Sequence, residues 1–94
     1  MMEYSKITIG MPVHNEEKLI HKAIESVLSQ TFTDFQLIIS DNRSTDKTEE
    51  ICREYAKKDS RIVYFQQSEN IGIETWMFLI NRANSDYFVY LAGD

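Results

Sequence analysis

Apolar residues along this chain alternate between short continuous runs and a repeat of helical period. The β-branched run from Lys6 to Pro12 predicts a first strand. A helix is predicted next, because apolar residues then recur with a period of about 3.6. These residues are Leu19, Ile20, Ala23, Ile24, Val27 and Leu28. Asn15 precedes the repeat and is predicted to cap the helix, with Glu16 and Glu17 in its first turn.

The next stretch repeats the order of strand and helix. Phe35 to Ser40 is apolar without alternation, as expected of a strand that is covered on both faces in a parallel sheet. Asp46 is followed by Glu49, a spacing that resembles a capping box and predicts a second helix ending near Lys58. Ile62 to Phe65 then predicts a third strand.

A third helix and a fourth strand complete the pattern. The helix is predicted between Gly72 and Tyr87, and Tyr87 to Leu91 predicts the strand. The apolar stripe of this helix consists of Ile73, Trp76, Met77, Ile80 and Ala83. Because Trp76 and Met77 share that stripe, they are predicted to pack in the core rather than to stack on a base.

Four strands alternating with three helices predict an α/β fold with an open, doubly wound, mostly parallel sheet. No linker or repeat divides the chain, so residues 1–94 are predicted to form a single domain. In such sheets, ligands bind beyond the carboxyl ends of the strands, near the point where the strand order reverses. This rule selects the segments after the first, second and fourth strands, which are residues 12–16, 41–46 and 92–94.

Composition and charge narrow the function classes. With 43% hydrophobic and 27% charged residues, the 94-residue chain fits one small globular domain. A formal net charge of -5 repels polyphosphate backbones, so nucleic acid is not an expected partner. Cys52 is the single cysteine and is expected to be a buried thiol in a reducing compartment. Short apolar runs and an N-terminus without a signal-peptide layout favour a cytoplasmic protein.

The polar residues at the predicted strand ends indicate how an anionic ligand is held. The chain has three glycines and contains neither a G-x-G-x-x-G nor a Walker sequence that would cradle a diphosphate. Carboxylates accept hydrogen bonds from a base or a ribose, and they also bind Mg²⁺ or Mn²⁺. A divalent cation of this kind would neutralise a diphosphate, so an acidic site is compatible with an anionic substrate.

The same segments resemble those of the family 2 glycosyltransferases, which have the GT-A fold. The resemblance covers nearly the whole chain, and it is specific because the segments occur in the family's order. They are MPVHNEE at residues 11–17, SQTFTDF at 29–35, DNRSTDKT at 41–48, and Asp86-Tyr87 leading to Asp94. The family typically has P-x-Y-N-x-E, S-x-x-x-Q-T-x-x-x-x-E, D-D-G-S-T-D-x-T and a strand that ends in D-x-D.

The resemblance implies a nucleotide-binding site and a metal ligand. The nucleotide-binding residues implied are Pro12, His14, Asn15, Glu16, Asp41 and Asn42. His14 would place its imidazole where the family usually has an aromatic ring against the base, and Asp41 would hydrogen-bond the uracil edge. Asp94 falls on the last acid of the D-x-D pattern, which would ligate a divalent metal that bridges the diphosphate.

Three parts of the chain depart from the family pattern. Ala92 stands where the first acid of D-x-D is expected, so Asp94 alone carries the matched metal role. Asn42 and Arg43 replace the frequent Asp-Gly pair, and the cation of Arg43 either meets phosphate or faces water. Residues 72–87 lack the basic residue that is common in the family, which removes an expected contact to the diphosphate.

Some of these side chains also have a purely structural interpretation. Asp41 at a strand end is a common turn former, and Asp46 is interpreted as a helix cap rather than a ligand. Ser44 and Thr45 are interpreted mainly as turn residues. His14 is either a bystander or part of the pocket, and its place in the first matching segment favours the pocket. His21 is expected to face solvent.

The resemblance implies metal-assisted sugar transfer from a uridine-diphosphate sugar to an unknown glycan, lipid or protein acceptor, with inversion as in the family. Acceptor recognition and the catalytic base lie in the following half of family members, so no catalytic residue is assigned here. We expect this chain to be the nucleotide-binding portion of the enzyme, cut at the metal motif and inactive alone. Whether the longer parent associates with a membrane is left open.

Two other function classes remain open from the residues alone. One is a non-catalytic nucleotide-binding or protein-interaction module. The weaker one is a receiver-like phosphoacceptor domain, which would need an acidic pair after its first strand, a requirement that Glu16 and Glu17 fit poorly. In addition, apolar sheet surface around the fourth strand is expected to be uncovered, so association with a second copy of the chain is a hypothesis.

Overall fold

The computed structural model of the protein describes residues 4–91. Its strands are β1 (Ser5–Val13), β2 (Phe35–Asp41), β3 (Ile62–Gln66) and β4 (Ser85–Tyr90), and its helices are α1 (Ile20–Leu28), α2 (Thr48–Lys58) and α3 (Glu74–Arg82). The predicted order of strands and helices is confirmed within this range, and so is the α/β class. Each strand lies within two residues of its predicted bounds.

The four strands form one parallel sheet in the order β3-β2-β1-β4. Register pairs Ile7 of β1 with Phe35 of β2 on one side and with Tyr87 of β4 on the other. The chain therefore moves outward from β1 to β3 and then returns to add β4 beside β1. The strand order reverses between β1 and β4, which is where a doubly wound sheet opens a crevice at its carboxyl edge.

Helices α1 and α2 cover one face of the sheet and enclose the main core. All seven residues of β2 are buried, because this strand is covered on both faces as predicted. Ile24 and Val27 of α1 and Cys52 of α2 pack against Leu37 and its neighbours in the sheet. The prediction that Cys52 is a buried thiol is confirmed, and burial raises its pKa to about 12.

Helix α3 lies on the opposite face with the predicted stripe turned outward. Thr75 and Leu79 are its buried residues, whereas Trp76, Met77 and Ile80 are exposed, with 60% of Met77 accessible to solvent. The prediction that Trp76 and Met77 pack in the core is therefore wrong. The amphipathic period was present, but the apolar stripe does not face the sheet.

The sheet surface beneath α3 gives the physical reason. Gly10 of β1 contributes no side chain to it and Ser40 of β2 contributes a buried hydroxyl, so this surface is partly polar. Thr75 donates a hydrogen bond from Oγ1 to Ser40 Oγ over 3.1 Å. Since a buried hydroxyl needs a partner, this bond favours the Thr75 side of the helix over the Trp76 side.

The edge strand β4 carries exposed apolar side chains. Tyr87 is 60% exposed and Val89 is also exposed, while the ring of Tyr90 packs edge-on against Trp76 of α3. Here we call the exposed residues Trp76, Tyr87, Val89, Tyr90 and Leu91 the β4 edge. Within residues 4–91, no helix has both the length and the apolar character needed to cross a membrane.

Gly10→Ala is expected to destabilise the fold by about 1–3 kcal/mol, the usual cost of overpacking a core. A Cβ at this position would lie 2.7 Å from Phe88 Cζ and 3.3 Å from Leu79 Cβ, both inside ordinary contact distance. Urea unfolding followed by the fluorescence of Trp76 measures the loss.

A second variant separates crowding from other effects of the same substitution. Combining Gly10→Ala with Phe88→Leu removes the ring atom that the new Cβ meets, so part of the lost free energy of unfolding should return. If Gly10→Ala unfolds at the same urea concentration as the natural chain, the close packing of Phe88 over β1 is contradicted.

Candidate functional site

The loops that follow β1 and β2 meet at the carboxyl edge of the sheet and are joined by hydrogen bonds. Asn42 donates its backbone N–H to the carbonyl oxygen of Val13 over 2.8 Å. Asn15 donates its N–H to Ser44 Oγ over 2.8 Å, and its Oδ1 accepts the N–H of Thr45 over 2.7 Å. Two segments selected from the sequence are thus brought together as one structural unit.

The same two loops are also joined farther along the chain. Glu16 donates its backbone N–H to Thr48 Oγ1 over 2.8 Å, and Glu17 donates its N–H to Asp46 Oδ2 over 3.2 Å. In return, Glu17 Oε1 accepts the N–H of Lys47 over 2.9 Å. The approach to α1 is therefore held against the first turn of α2.

Asn15 does not cap α1, so that prediction is wrong. The helix begins at Ile20, and Leu19 at the N-cap position makes no side-chain capping bond. Asn15 has a left-handed backbone with φ of 51°, and its side-chain oxygen is used by Thr45. A backbone bond from the N–H of Ile20 to the carbonyl of Glu16 over 2.8 Å holds the turn instead.

Asp46 has a structural role at the start of α2, but the N-cap residue of that helix is Lys47, so the prediction that Asp46 is the cap is off by one residue. Its Oδ1 accepts the N–H of Thr48 over 2.9 Å at the start of α2. Burial opposes its ionisation, but hydrogen bonds from Thr48 and Glu17 outweigh that effect and lower the pKa of Asp46. The other half of the capping box is absent, because Glu49 bonds Arg53 and not the Asp46 backbone.

Asp41 lies beneath the loops and is fully buried, with 0% of its surface exposed. Its Oδ1 accepts the N–H of Ser44 over 2.8 Å, and its Oδ2 accepts the hydroxyl of Tyr64 over 2.5 Å. In this arrangement the carboxylate does not reach the surface. Its predicted contact with a uracil edge stays a prediction, and its observed partners are protein groups.

Asn42 carries the unsatisfied polar atom of the site. The residue is 8% exposed, and within residues 4–91 its Oδ1 is the buried side-chain atom without a hydrogen-bond partner. Its carbonyl oxygen lies 2.7 Å from His14 Nδ1, so this ring nitrogen carries the proton and donates. An unpaired buried acceptor costs about 1–3 kcal/mol, so a hydrogen bond from a ligand N–H to Asn42 Oδ1 would be favourable.

The other predicted nucleotide-binding residues are less buried than Asp41 and Asn42. Pro12 and Glu16 are half-buried, and His14 and Asn15 are exposed. The hydrogen bonds between the two loops bring the nucleotide-binding residues predicted from sequence together at the ends of β1 and β2.

Arg43 has the second strained backbone of the site, with φ of 60°. Left-handed conformations at residues other than glycine cost free energy and concentrate at functional sites. Its guanidinium donates to the carbonyl of Ser68 over 2.7 Å, in the loop after β3. The guanidinium therefore links two loops and does not face water alone, and its contact with phosphate stays a prediction.

Sequence reasoning missed Tyr64, which reaches the site from β3. Its separation from Asp41 in the chain hides the contact, since no local period reports a pair on neighbouring strands. The available signal was its place near the carboxyl end of a strand that was predicted to lie in the same sheet. Register pairs Tyr64 with Ile39, two residues before Asp41, and the long side chain spans the difference.

The described residues show no cluster of side chains that could bind a divalent metal. Residues 4–91 contain no group of three or more His, Cys, Asp or Glu side chains that could hold a metal ion. Asp41 and Asp46 already accept backbone N–H groups. The predicted ligand, Asp94, lies outside the described residues, as does Ala92.

Comparison with known proteins identifies a family and several relatives. Residues 8–94 match the sequence model described as Glycosyl transferase family 2. Glycosyltransferase GlyA of Streptococcus pneumoniae serotype 4 is 32% identical over 95 residues, which cover 100% of this chain and 14% of GlyA. Minor teichoic acid biosynthesis protein GgaB of Bacillus subtilis is 39% identical over 90 residues, which cover 93% of this chain and 10% of GgaB.

Solved structures share the fold. S. aureus TarS 1–349 in complex with UDP-GlcNAc superposes with a TM-score of 0.87 at 25% identity, over 95% of this chain and 26% of that chain. Mannosyltransferase PcManGT from Pyrobaculum calidifontis, in complex with GDP-Man and Mn²⁺, has a TM-score of 0.87 at 20% identity, over 98% of this chain and 28% of that chain. The family match covers nearly the whole chain, so this chain belongs to glycosyl transferase family 2.

Proposed function

We propose that this chain is the nucleotide-binding portion of a glycosyltransferase that takes its sugar from a uridine-diphosphate sugar. The observation that carries the proposal is the buried, unpartnered Oδ1 of Asn42 at the carboxyl edge of the sheet, next to His14. Family membership supports it, and so does the likeness to TarS 1–349, which was solved with UDP-GlcNAc. The acceptor is a glycan, lipid or protein.

The chemistry of Asn42 suits a pyrimidine edge. Uracil presents an N–H between two carbonyl oxygens, and a carboxamide offers one acceptor and one donor group side by side. The ring of His14 is held in place by its bond to the Asn42 carbonyl, so it offers a fixed surface beside the base. We therefore assign base recognition to Asn42 and His14, with Pro12, Asn15 and Glu16 around them.

The rest of ligand binding and the transfer of sugar require residues that lie outside 4–91. We assign the diphosphate, the divalent cation, the acceptor and the base that activates it to residues outside 4–91, with Asp94 as the proposed metal ligand. Transfer with inversion is part of the same proposal. This chain by itself is expected to bind nucleotide without transferring sugar.

Uridine diphosphate titrated into the chain is expected to produce saturable backbone amide shifts at His14, Asn15, Asn42 and Ser44. These residues either form the proposed base site or hydrogen-bond to it. Two-dimensional NMR with and without Mg²⁺ measures the shifts, and guanosine diphosphate tests the preference for the base. His21 in the cleft between α1 and α2 serves as an internal control. An absence of saturable shifts at millimolar ligand would favour the interaction-module alternative.

Asn42→Ala is expected to weaken binding of uridine diphosphate roughly tenfold, because it removes the acceptor for the base N–H. Asn42→Asp keeps an oxygen at the same place and should retain more of the affinity. Asn81→Ala, an exposed change on α3, is the matched control. Equal dissociation constants for Asn42→Ala and Asn81→Ala by isothermal titration calorimetry would exclude Asn42 from the base site.

We also propose that the β4 edge contacts a second copy of this chain. Among the strands of residues 4–91, β4 pairs only with β1, and Tyr87 and Val89 of β4 are exposed. The mass from light scattering is expected to rise with concentration, and Val89→Lys should shift the equilibrium to monomer, whereas Ser60→Lys should not. A monomeric mass of the natural chain at all concentrations would count against this interface.

A further inference from the structure

Tyr64 connects the core under α2 with the candidate base site. The residue lies on β3 and is half-buried, with its ring packed against the main core. Its hydroxyl donates to Asp41 Oδ2 over 2.5 Å. Because Asp41 is fully buried, water cannot take over this role without a change of structure.

The carboxylate of Asp41 in turn shapes the loop that carries Asn42. Its second oxygen accepts the N–H of Ser44, and Ser44 Oγ accepts the N–H of Asn15 from the neighbouring loop. Asn42 lies inside the turn that these bonds close, and Arg43 next to it has the strained φ of 60°. The position of Asn42 Oδ1 is therefore set by hydrogen bonds that converge on Asp41.

Tyr64 is itself held from two sides. The guanidinium of Arg53 lies 4.9 Å from its ring centroid and pairs with Glu49 over 2.8 Å. Glu49 also accepts the side-chain N–H of Gln66 over 3.0 Å. Burial and the Asp41 carboxylate raise the pKa of Tyr64, so its hydroxyl remains a proton donor at neutral pH.

We propose that Tyr64 is a positioning residue for nucleotide recognition, which orients Asp41 and through it holds Asn42 and His14 where they meet the base. The proposal rests on the nucleotide-binding function proposed above. Tyr64 itself does not touch the nucleotide in this arrangement. Its contribution is to hold the turn after β2 in the conformation seen here, with Arg43 at φ of 60°, before any nucleotide binds.

Tyr64→Phe removes the hydroxyl and keeps the ring beneath Arg53. Binding of uridine diphosphate is expected to weaken roughly five- to tenfold, the size expected for loss of one ordinary hydrogen bond. Tyr55→Phe is the matched control, because the Tyr55 hydroxyl also donates to a carboxylate, Glu25 Oε2, over 2.7 Å on the outer helices. This control should leave the affinity unchanged.

Amide hydrogen exchange without nucleotide distinguishes positioning from a loss of stability. Tyr64→Phe should speed exchange at Ser44 and Asn15, whose N–H groups depend on the Asp41 turn, more than in α1. A merely structural loss would speed exchange throughout the chain. Binding is measured at a temperature where the NMR spectrum of each variant shows a folded chain.

A double-variant cycle tests the route through Asp41. In an Asp41→Ala chain, adding Tyr64→Phe should cost little further affinity, because Asp41→Ala already removes the carboxylate to which the Tyr64 hydroxyl donates. A full further loss in that background would overturn the proposal. Asp41→Ala alone tests the same link should Tyr64→Phe not fold, and unchanged affinity in that variant would also overturn it.

The outcomes separate this inference from the function on which it rests. If the natural chain binds uridine diphosphate and Tyr64→Phe binds as tightly as Tyr55→Phe, the positioning role is wrong and the nucleotide site stands. If the natural chain shows no saturable binding, the proposed function and the positioning role fail together.

Discussion

The buried carboxylate of Asp41 is the constraint on which the carboxyl edge of this sheet depends. Removing a carboxylate from water is costly unless hydrogen-bond donors surround it. Here the donors are the hydroxyl of Tyr64 on β3 and the N–H of Ser44 in the following loop. Satisfying both requires β3 to lie beside β2 in the observed register, and it requires the chain to turn sharply after Asp41. The Asp41 side chain thus depends on both the strand order and the shape of the loop after β2.

The sheet topology explains why this turn faces a second loop rather than solvent. Because β1 and β2 are adjacent and parallel, the loops that follow them leave the same edge of the sheet side by side. The bonds from Asn15 to Ser44 and Thr45 then fix one loop against the other. Both strained residues, Asn15 and Arg43, lie in these loops, so the strain is held by the same bonds that build the site.

Sequence patterns predicted those features that local periodicity or position along the chain determines. The strands, α1, α2 and the burial of Cys52 follow from apolar runs and helical repeats. The ends of β1 and β2, predicted at Pro12 and Ser40, lie one residue later in the structure. Features that depend on partners distant in the chain could not be predicted. The face of α3 that packs on the sheet was predicted wrongly, because it depends on the hydrogen bond from Thr75 to the distant Ser40.

The site residues show the same division. The cap assigned to Asn15 was wrong because its side chain bonds across to the second loop, and the burial of Asp41 depends on a tyrosine on another strand. A single-sequence pattern records that a polar residue ends a strand. It does not record whether that residue faces a ligand or anchors the loop beneath it, since both uses place the same residue type at the same position.

The same hydrogen bonds limit which ligands the loops after β1 and β2 can bind. A glycine-rich loop binds a diphosphate with a row of free backbone N–H groups. Here the N–H groups of Asn15, Ser44 and Thr45 already donate to side chains of the site, and those of Glu16, Glu17, Lys47 and Thr48 do so as well. The loops are therefore rigid but offer few donors to phosphate. In the nucleotide site proposed above, these loops therefore suit the uncharged base and ribose better than the diphosphate, in agreement with the proposal that residues outside 4–91 bind the diphosphate.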